Sequence, residues 1–232
     1  MGLKGIKTDV LVVGSGAAGV MAALKAARMG RRVVLTSKAS MRSGNSALAN
    51  GGWLVPSKDF PPDEYVNLVM EAGNKINDVK LVRILAQRGE TMIRVLRETG
   101  VPLKRRGERY LSIEIGTSTR IPGILLMDAL LANIKDERVV LLPWLSIIEL
   151  LLDGGRVSGA IGVSRDEGQV VIDAKSVVLA TGGEAVSTGA MTITGGFWGM
   201  GIGSRCGRDC LYGIWSLSSV IPSLWPKPIY HP

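Results

Sequence analysis

The sequence predicts an α/β fold with a parallel sheet, and three adjacent observations predict it. The β-branched run Thr8–Val13 ends abruptly in glycine, the helix-forming stretch Ala17–Met29 follows, and a second β-branched run, Arg31–Thr36, comes next. Strand, helix and strand packed into about 30 residues make a βαβ unit, whose two strands must run parallel. Both runs lack polar alternation, as strands covered on both faces do.

The other elements follow in order. Gly30 supplies a C-terminal cap for the first helix. Ser40–Gly52 is polar and glycine-rich and reads as a loop rather than a helix. Asp63–Ala72 and Asp78–Glu98 read as helices, forming a helical excursion over residues 60–100. Asp63 and Glu64 supply N-terminal charge to the first of them. Asp78 is a plausible cap for the second, which shows apolar Leu81, Leu85, Ile93 and Leu96 and stops before Gly100-Val101-Pro102. Ile124–Lys135 is a further helix, entered through Pro122-Gly123. A β-rich stretch that includes an antiparallel element comes next: Val139–Leu142, Ser146–Leu152, a turn at Asp153-Gly154-Gly155, Arg156–Ser164 and Val170–Ala174. Ser176–Ala180 closes the order as a buried strand running into Thr181-Gly182-Gly183.

Composition removes several classes of function. Of 232 residues, 46% are hydrophobic and 21% charged, which suits a packed core and excludes general disorder. Two cysteines and one histidine argue against a disulfide scaffold, a histidine-built metal site or a Ser-His-Asp triad. They fit a reduced, cytoplasmic protein. The net charge of +8 gathers at Arg83, Arg88, Arg94, Arg97, Lys104, Arg105, Arg106 and Arg109. Only Tyr110 adds an aromatic there, so a solvated helix face is expected rather than a nucleic-acid surface. Val10–Leu24 is apolar but short and broken by glycines, so a membrane role is not expected.

The chemistry is concentrated in the turn Gly14-Ser15-Gly16-Ala17-Ala18-Gly19, a GxGxxG between strand and helix. Gly14 permits a tight turn, Gly16 lets backbone approach a pyrophosphate, and Gly19 lets the helix pack on the strand. The helix N-terminus then offers its positive end to the phosphates. The acid that usually holds the ribose is missing, because Leu35-Thr36-Ser37-Lys38 places Ser37 there. Thr36 and Ser37 can hydrogen-bond a ribose hydroxyl, whereas Lys38 with Arg31 or Arg32 would suit an NADP phosphate. On these residues alone both dinucleotides stay open.

Three strings in order carry a family resemblance: T-D-V-L-V-V-G-S-G-A-A-G (Thr8–Gly19), S-K with S-G-N-S-A-L-A-N-G-G (Ser37-Lys38, Ser43–Gly52), and S-V-V-L-A-T-G-G (Ser176–Gly183). Arg120-Ile121-Pro122-Gly123 and Met127–Leu131 fit the same pattern. From about Lys7 to Gly201 the chain resembles the FAD-binding domain of the fumarate reductase / succinate dehydrogenase flavoprotein family, which includes L-aspartate oxidase. The resemblance implies a Rossmann-like FAD/NAD(P)-binding domain and FAD as cofactor. It implies cofactor contacts at Gly14, Ser15, Gly16, Ala17, Ala18 and Gly19, and at Thr36, Ser37 and Lys38. The glycine-rich loop adds Ser43, Gly44, Asn45, Ser46, Asn50, Gly51 and Gly52; the last strand adds Ala180, Thr181, Gly182 and Gly183. Asn45 stands where membrane-bound relatives carry the histidine that links FAD covalently, so FAD is expected to be non-covalent.

The resemblance further implies hydride exchange between flavin and a small substrate of dicarboxylate type, with an iron–sulfur or other electron-transfer partner. No residue matches the family's substrate-binding and protonating groups, so no catalytic residue is named. A truncated, non-catalytic FAD-binding module and an NADP-dependent reductase are the alternatives.

Residues 1–200 are expected to be the FAD-binding domain and residues 201–232 an atypical tail. Both cysteines (Cys206, Cys210), the histidine (His231) and Trp198, Trp215 and Trp225 all follow residue 196. The spacing of Cys206 and Cys210 lacks the second pair a metal site needs. Ile202–Trp215 can be encoded so that the same bases, one base later, read S-E-A-G-A-A-E-I-V-Y-M-E-F. That string recovers the family words E-A-G-A and M-E-F in order, so a shifted reading frame near residues 196–202 is expected, with a divergent tail as the alternative.

Overall fold

The computed structural model describes residues 4–49, 52–107, 110–113, 121–134 and 138–182. Its elements run β1 (Lys4–Val13), α1 (Ala17–Arg28), β2 (Val33–Thr36), α2 (Asn45–Leu48), β3 (Trp53–Leu54), α3 (Pro62–Ala72) and α4 (Val79–Glu98). There follow β4 (Leu103–Arg106), β5 (Tyr110–Ile113), α5 (Pro122–Ala132), β6 (Val139–Leu142), β7 (Leu145–Asp153), β8 (Arg156–Ser164) and β9 (Gly168–Leu179). They form two compact units, residues 4–48 with 126–182, and residues 49–125.

The first unit is built on a six-stranded sheet ordered β6-β2-β1-β9-β8-β7. β1 pairs in parallel with β2 and β9, and β2 with β6. The meander β7–β8–β9 is antiparallel and enters the parallel part through β9. Leu11, Val12, Val34 and Leu35 are buried to 2% exposure or less, as the continuous apolar runs require. α1 lies against β1 and β2 and buries Val20, Ala23, Leu24 and Ala27. Gly30, at φ +77°, ends it as expected. Gly154 and Gly155, at φ +55° and +79°, make the β7–β8 turn with both central residues left-handed, matching the strand twist.

Asp9 fastens this sheet across three strands. Its carboxylate receives the Lys175 ammonium of β9 at 2.8 Å and the Arg32 amide, next to β2, at 3.0 Å. The Lys175 hydrogen bond first, and the Arg32 amide second, hold the Asp9 carboxyl well below the usual carboxylate range.

Three elements of this unit, β1, β9 and α2, differ from expectation. β1 starts at Lys4 rather than Thr8, because Lys4–Lys7 pair with Val170–Asp173 of β9. The two strands expected over 170–180 are one, β9, since the same β1 edge supports its whole length. Its last residues are not buried: Val178 is 37% and Leu179 50% exposed, for β8 pairs with β9 only as far as Asp173. Inside the glycine-rich loop, residues 45–48 wind into the single turn α2, after Gly44 at φ +96°.

In the second unit, α3 and α4 pack around Phe60, Tyr65, Val66, Val69, Val82 and Ala86. Phe60 and Tyr65 meet edge to face at 6.2 Å. Asp78 caps α4 by accepting the Lys80 amide at 2.8 Å, the role its sequence position suggests. α4 buries Val82, Ala86, Ile93 and Leu96 and leaves Arg83, Arg88, Arg94 and Arg97 exposed, which is a solvated helix face. A three-stranded antiparallel sheet, β3-β5-β4, completes the unit; the sequence reading contained none of these short strands. No helix among the described residues is long and apolar enough to cross a membrane.

Candidate cofactor site

Register places the site. Val13, the last residue of β1, sits between Thr36, the last of β2, and Leu179, the last of β9. The glycine turn, Ser37-Lys38 and Ala180-Thr181-Gly182 therefore leave the sheet side by side, at the carboxyl ends of parallel strands where α/β sheets bind their ligands. The Ala180 amide, bonded to the Val13 carbonyl at 2.8 Å, and the Gly14 amide, bonded to Thr36 at 3.0 Å, tie the three exits together.

The three motif glycines face different neighbours. A Cβ on Gly14, which sits at φ +106°, would lie 2.3 Å from the Ala180 carbonyl oxygen, and one on Gly19 would lie 1.8 Å from the Gly14 carbonyl oxygen. Both are thus imposed by the chain's own backbone. A Cβ on Gly16 would meet only the Ser46 hydroxyl, at 3.1 Å. Gly16 is therefore the motif glycine that no backbone of the chain itself requires.

Gly16 is also the N-cap of α1, and it supplies no side-chain cap. Helix geometry leaves the Ala17, Ala18 and Gly19 amides without intrahelical acceptors. The Ser46 hydroxyl takes one of them, accepting from Ala17 at 3.1 Å. This holds Ser46 of α2 against the helix start. What remains is a bare, positively polarised turn, the chemistry that holds a pyrophosphate.

The residues expected at the ribose divide. Thr36 is 1% exposed and its hydroxyl donates to the Val12 carbonyl at 3.4 Å, so that hydroxyl is spent inside the sheet. The Ser37 hydroxyl donates to Ser40 at 3.2 Å and accepts from the Ala39 amide at 3.4 Å, shaping the following turn. Lys38 is the exposed member of the three, and partial burial lowers its pKa. Asn50, Gly51 and Gly183 lie outside the described residues, as do Arg120 and the tail with Cys206, Cys210 and His231. Gly52 belongs to the second unit.

Two features had no sequence signal. Arg42 Nε forms an ion pair with Asp128 of α5, anchoring the start of the Ser43–Ser46 stretch; nothing in the spacing of residues so far apart announces it. The β6–β7 turn folds back on the segment that leaves β2, with the Trp144 amide bonded to Ala39 at 3.2 Å and the Leu145 amide to Ser37 at 2.9 Å. Among the described residues no cluster of three or more His, Cys, Asp or Glu could hold a metal.

Comparison with known proteins agrees with this chemistry. A family model described as an FAD binding domain matches residues 9–207. A probable fumarate reductase of Shewanella frigidimarina is 33% identical over 192 residues, covering 76% of this chain and 32% of that protein. An L-aspartate oxidase of Streptomyces coelicolor is 29% identical over 194 residues, 77% of this chain and 33% of that one. The open conformation of a flavocytochrome c3 fumarate reductase superposes with a TM-score of 0.70 at 31% identity, over 78% of this chain and 34% of that one. The chain thus spans about a third of the length of these relatives. The family is matched over most of the chain, and the only histidine is His231. The chain therefore belongs to the FAD-binding domain family of the fumarate reductase, succinate dehydrogenase and L-aspartate oxidase flavoproteins, with FAD as a non-covalent cofactor.

Proposed function

We propose that this chain forms the cofactor-holding part of an FAD-dependent oxidoreductase acting on a small dicarboxylate. The observation that carries the reading is the open turn at Gly16, set level with the ends of β2 and β9. Gly14–Gly19 hold the pyrophosphate, Lys38 attends the ribose, and Ala180–Gly182 provide a second close approach of backbone. Ser43–Ser46 attend the flavin end. The relatives named for fumarate and for aspartate, both four-carbon dicarboxylates, support that substrate class. Bound FAD supplies hydride exchange with a substrate carbon; the chain's own residues bind and orient it.

The test is to purify the chain, record its visible spectrum, and assay turnover with fumarate, succinate and aspartate. A flavin spectrum is expected, and turnover of any one of the three would assign the substrate. Bound flavin without turnover would make the chain a non-catalytic FAD-binding module, and tight NADP binding without flavin would overturn the reading. We also propose that the segment after residue 200 is read out of frame; the gene's bases, read one position later, should spell the family words given above.

A further inference from the structure

Trp144 is at odds with its position. It sits in the two-residue turn between β6 and β7 at φ +60°, a left-handed conformation that bulky residues rarely adopt. Its side chain is not packed away in return, since the residue is 42% exposed. The backbone that holds it there is well fixed. The Trp144 amide donates to Ala39 at 3.2 Å, the Arg165 amide donates to the Trp144 carbonyl at 3.1 Å, and the Leu145 amide donates to Ser37 at 2.9 Å. Those bonds place the Trp144 backbone beside Ser37-Lys38-Ala39, the segment that leaves β2. The Arg165 guanidinium lies 5.6 Å from the ring centroid, within cation–π range.

We propose that Trp144 is a cofactor-binding residue on which the adenine of FAD stacks, with Arg165 backing the indole. This rests on FAD lying along the carboxyl edge of β1, β2 and β9. Strained backbone that presents an exposed aromatic tends to mark a functional position. A purine offers the large flat π-face that an indole stacks against. The isoalloxazine end of the cofactor gains nothing from this contact, so Trp144 discriminates FAD from flavins lacking adenine.

The test is titration of the flavin-free chain with FAD, FMN and AMP. Trp144→Asn removes the ring while leaving a residue that tolerates left-handed backbone, and Trp144→Phe keeps a stacking face. Expected results are FAD binding about ten-fold weaker in W144N, FMN binding unchanged, and a Tm for flavin-free W144N no lower than wild type. W144F should recover most of the FAD affinity. AMP should quench indole emission in wild type but not in W144F. Wild type and W144N binding FAD equally would overturn the inference, as would equal losses for FAD and FMN with a lowered Tm, which denote a packing role. A wild-type chain that binds no FAD overturns the FAD placement as well, a result distinct from either of these.

Discussion

In the first unit, Val13 is held between Thr36 and Leu179, partners drawn from distant parts of the chain. In the second, the core of Phe60, Tyr65, Val66, Val69, Val82 and Ala86 comes from α3, α4 and the residue run just before them. The difference concerns what each unit asks of its residues. A locally built core needs apolar side chains at helical spacing and tolerates any backbone that keeps them there. A junction of distant strands needs backbones to pass within van der Waals contact, so it is sensitive to single atoms at glycine. The proposed cofactor edge lies in the unit of the second kind, where binding would depend on backbone clearance.

The largest expected effect is in the locally built unit, where side-chain volume matters most. Phe60 is fully buried and packs edge to face on Tyr65. Phe60→Ala should cost about 3–5 kcal/mol, read as loss of hydrogen-exchange protection across α3 and α4. A cost below about 1 kcal/mol would mean that Phe60 is not the centre of that core.

Next come the glycines, where the comparison is sharpest. Gly19→Ala places a methyl 1.8 Å from the Gly14 carbonyl oxygen, and should cost about 3 kcal/mol in denaturant unfolding. Gly16→Ala meets only the Ser46 side chain and should cost about 1 kcal/mol or less, yet weaken FAD binding more than its stability loss accounts for. Equal stability losses at the two positions would erase the distinction between glycines required by the fold and the glycine required by the ligand.

How much of this was legible in the sequence follows from the same distinction. The βαβ unit, the Gly30 cap, the Asp78 cap and the Gly154-Gly155 turn were legible because each is specified by neighbouring residues. The roles of Gly14 and Gly19 were legible because their spacing encodes one backbone path. Features made by distant residues were not. No local signal showed that Lys4–Lys7 would extend β1, that Thr36 would spend its hydroxyl on Val12, or that Arg42 would find Asp128. The strands β3, β4 and β5 are two to four residues long, too short to establish alternation. The turn α2 was missed because its single turn sits in a polar, glycine-rich segment, where composition alone suggests a loop.

A smaller effect, set by pH, probes the long-range side. Asp9 joins β1 to Lys175 of β9 and to the Arg32 amide beside β2, and its folded-state pKa is lowered. The lowered value means that Asp9 stabilises the fold above its unfolded pKa of about 3.9, and that this contribution fades as pH falls toward the folded value. Wild type should therefore exceed Asp9→Asn in stability at pH 7, with the gap closing progressively below about pH 4. A gap independent of pH between 7 and 2 would show that the carboxylate's charge is not what joins the strands.

The smallest expected effect bears on how the loop reaches the cofactor edge. Ser46 accepts from the Ala17 amide at 3.1 Å, linking α2 to the start of α1 by one hydrogen bond to its hydroxyl oxygen. Ser46→Ala should cost about 1 kcal/mol, and Ser46→Thr, which keeps the hydroxyl, should restore most of it. Because the same amide belongs to the phosphate-facing turn, the alanine variant has a second expected consequence. It frees the Ala17 N–H but releases the loop, so FAD should dissociate faster while its association rate stays near wild type. Stopped-flow mixing separates the two rates. A slower association with unchanged dissociation would mean that Ser46 preforms the helix start rather than retaining the loop against it, and the contrast between a backbone-built edge and a side-chain-held loop would have to be redrawn.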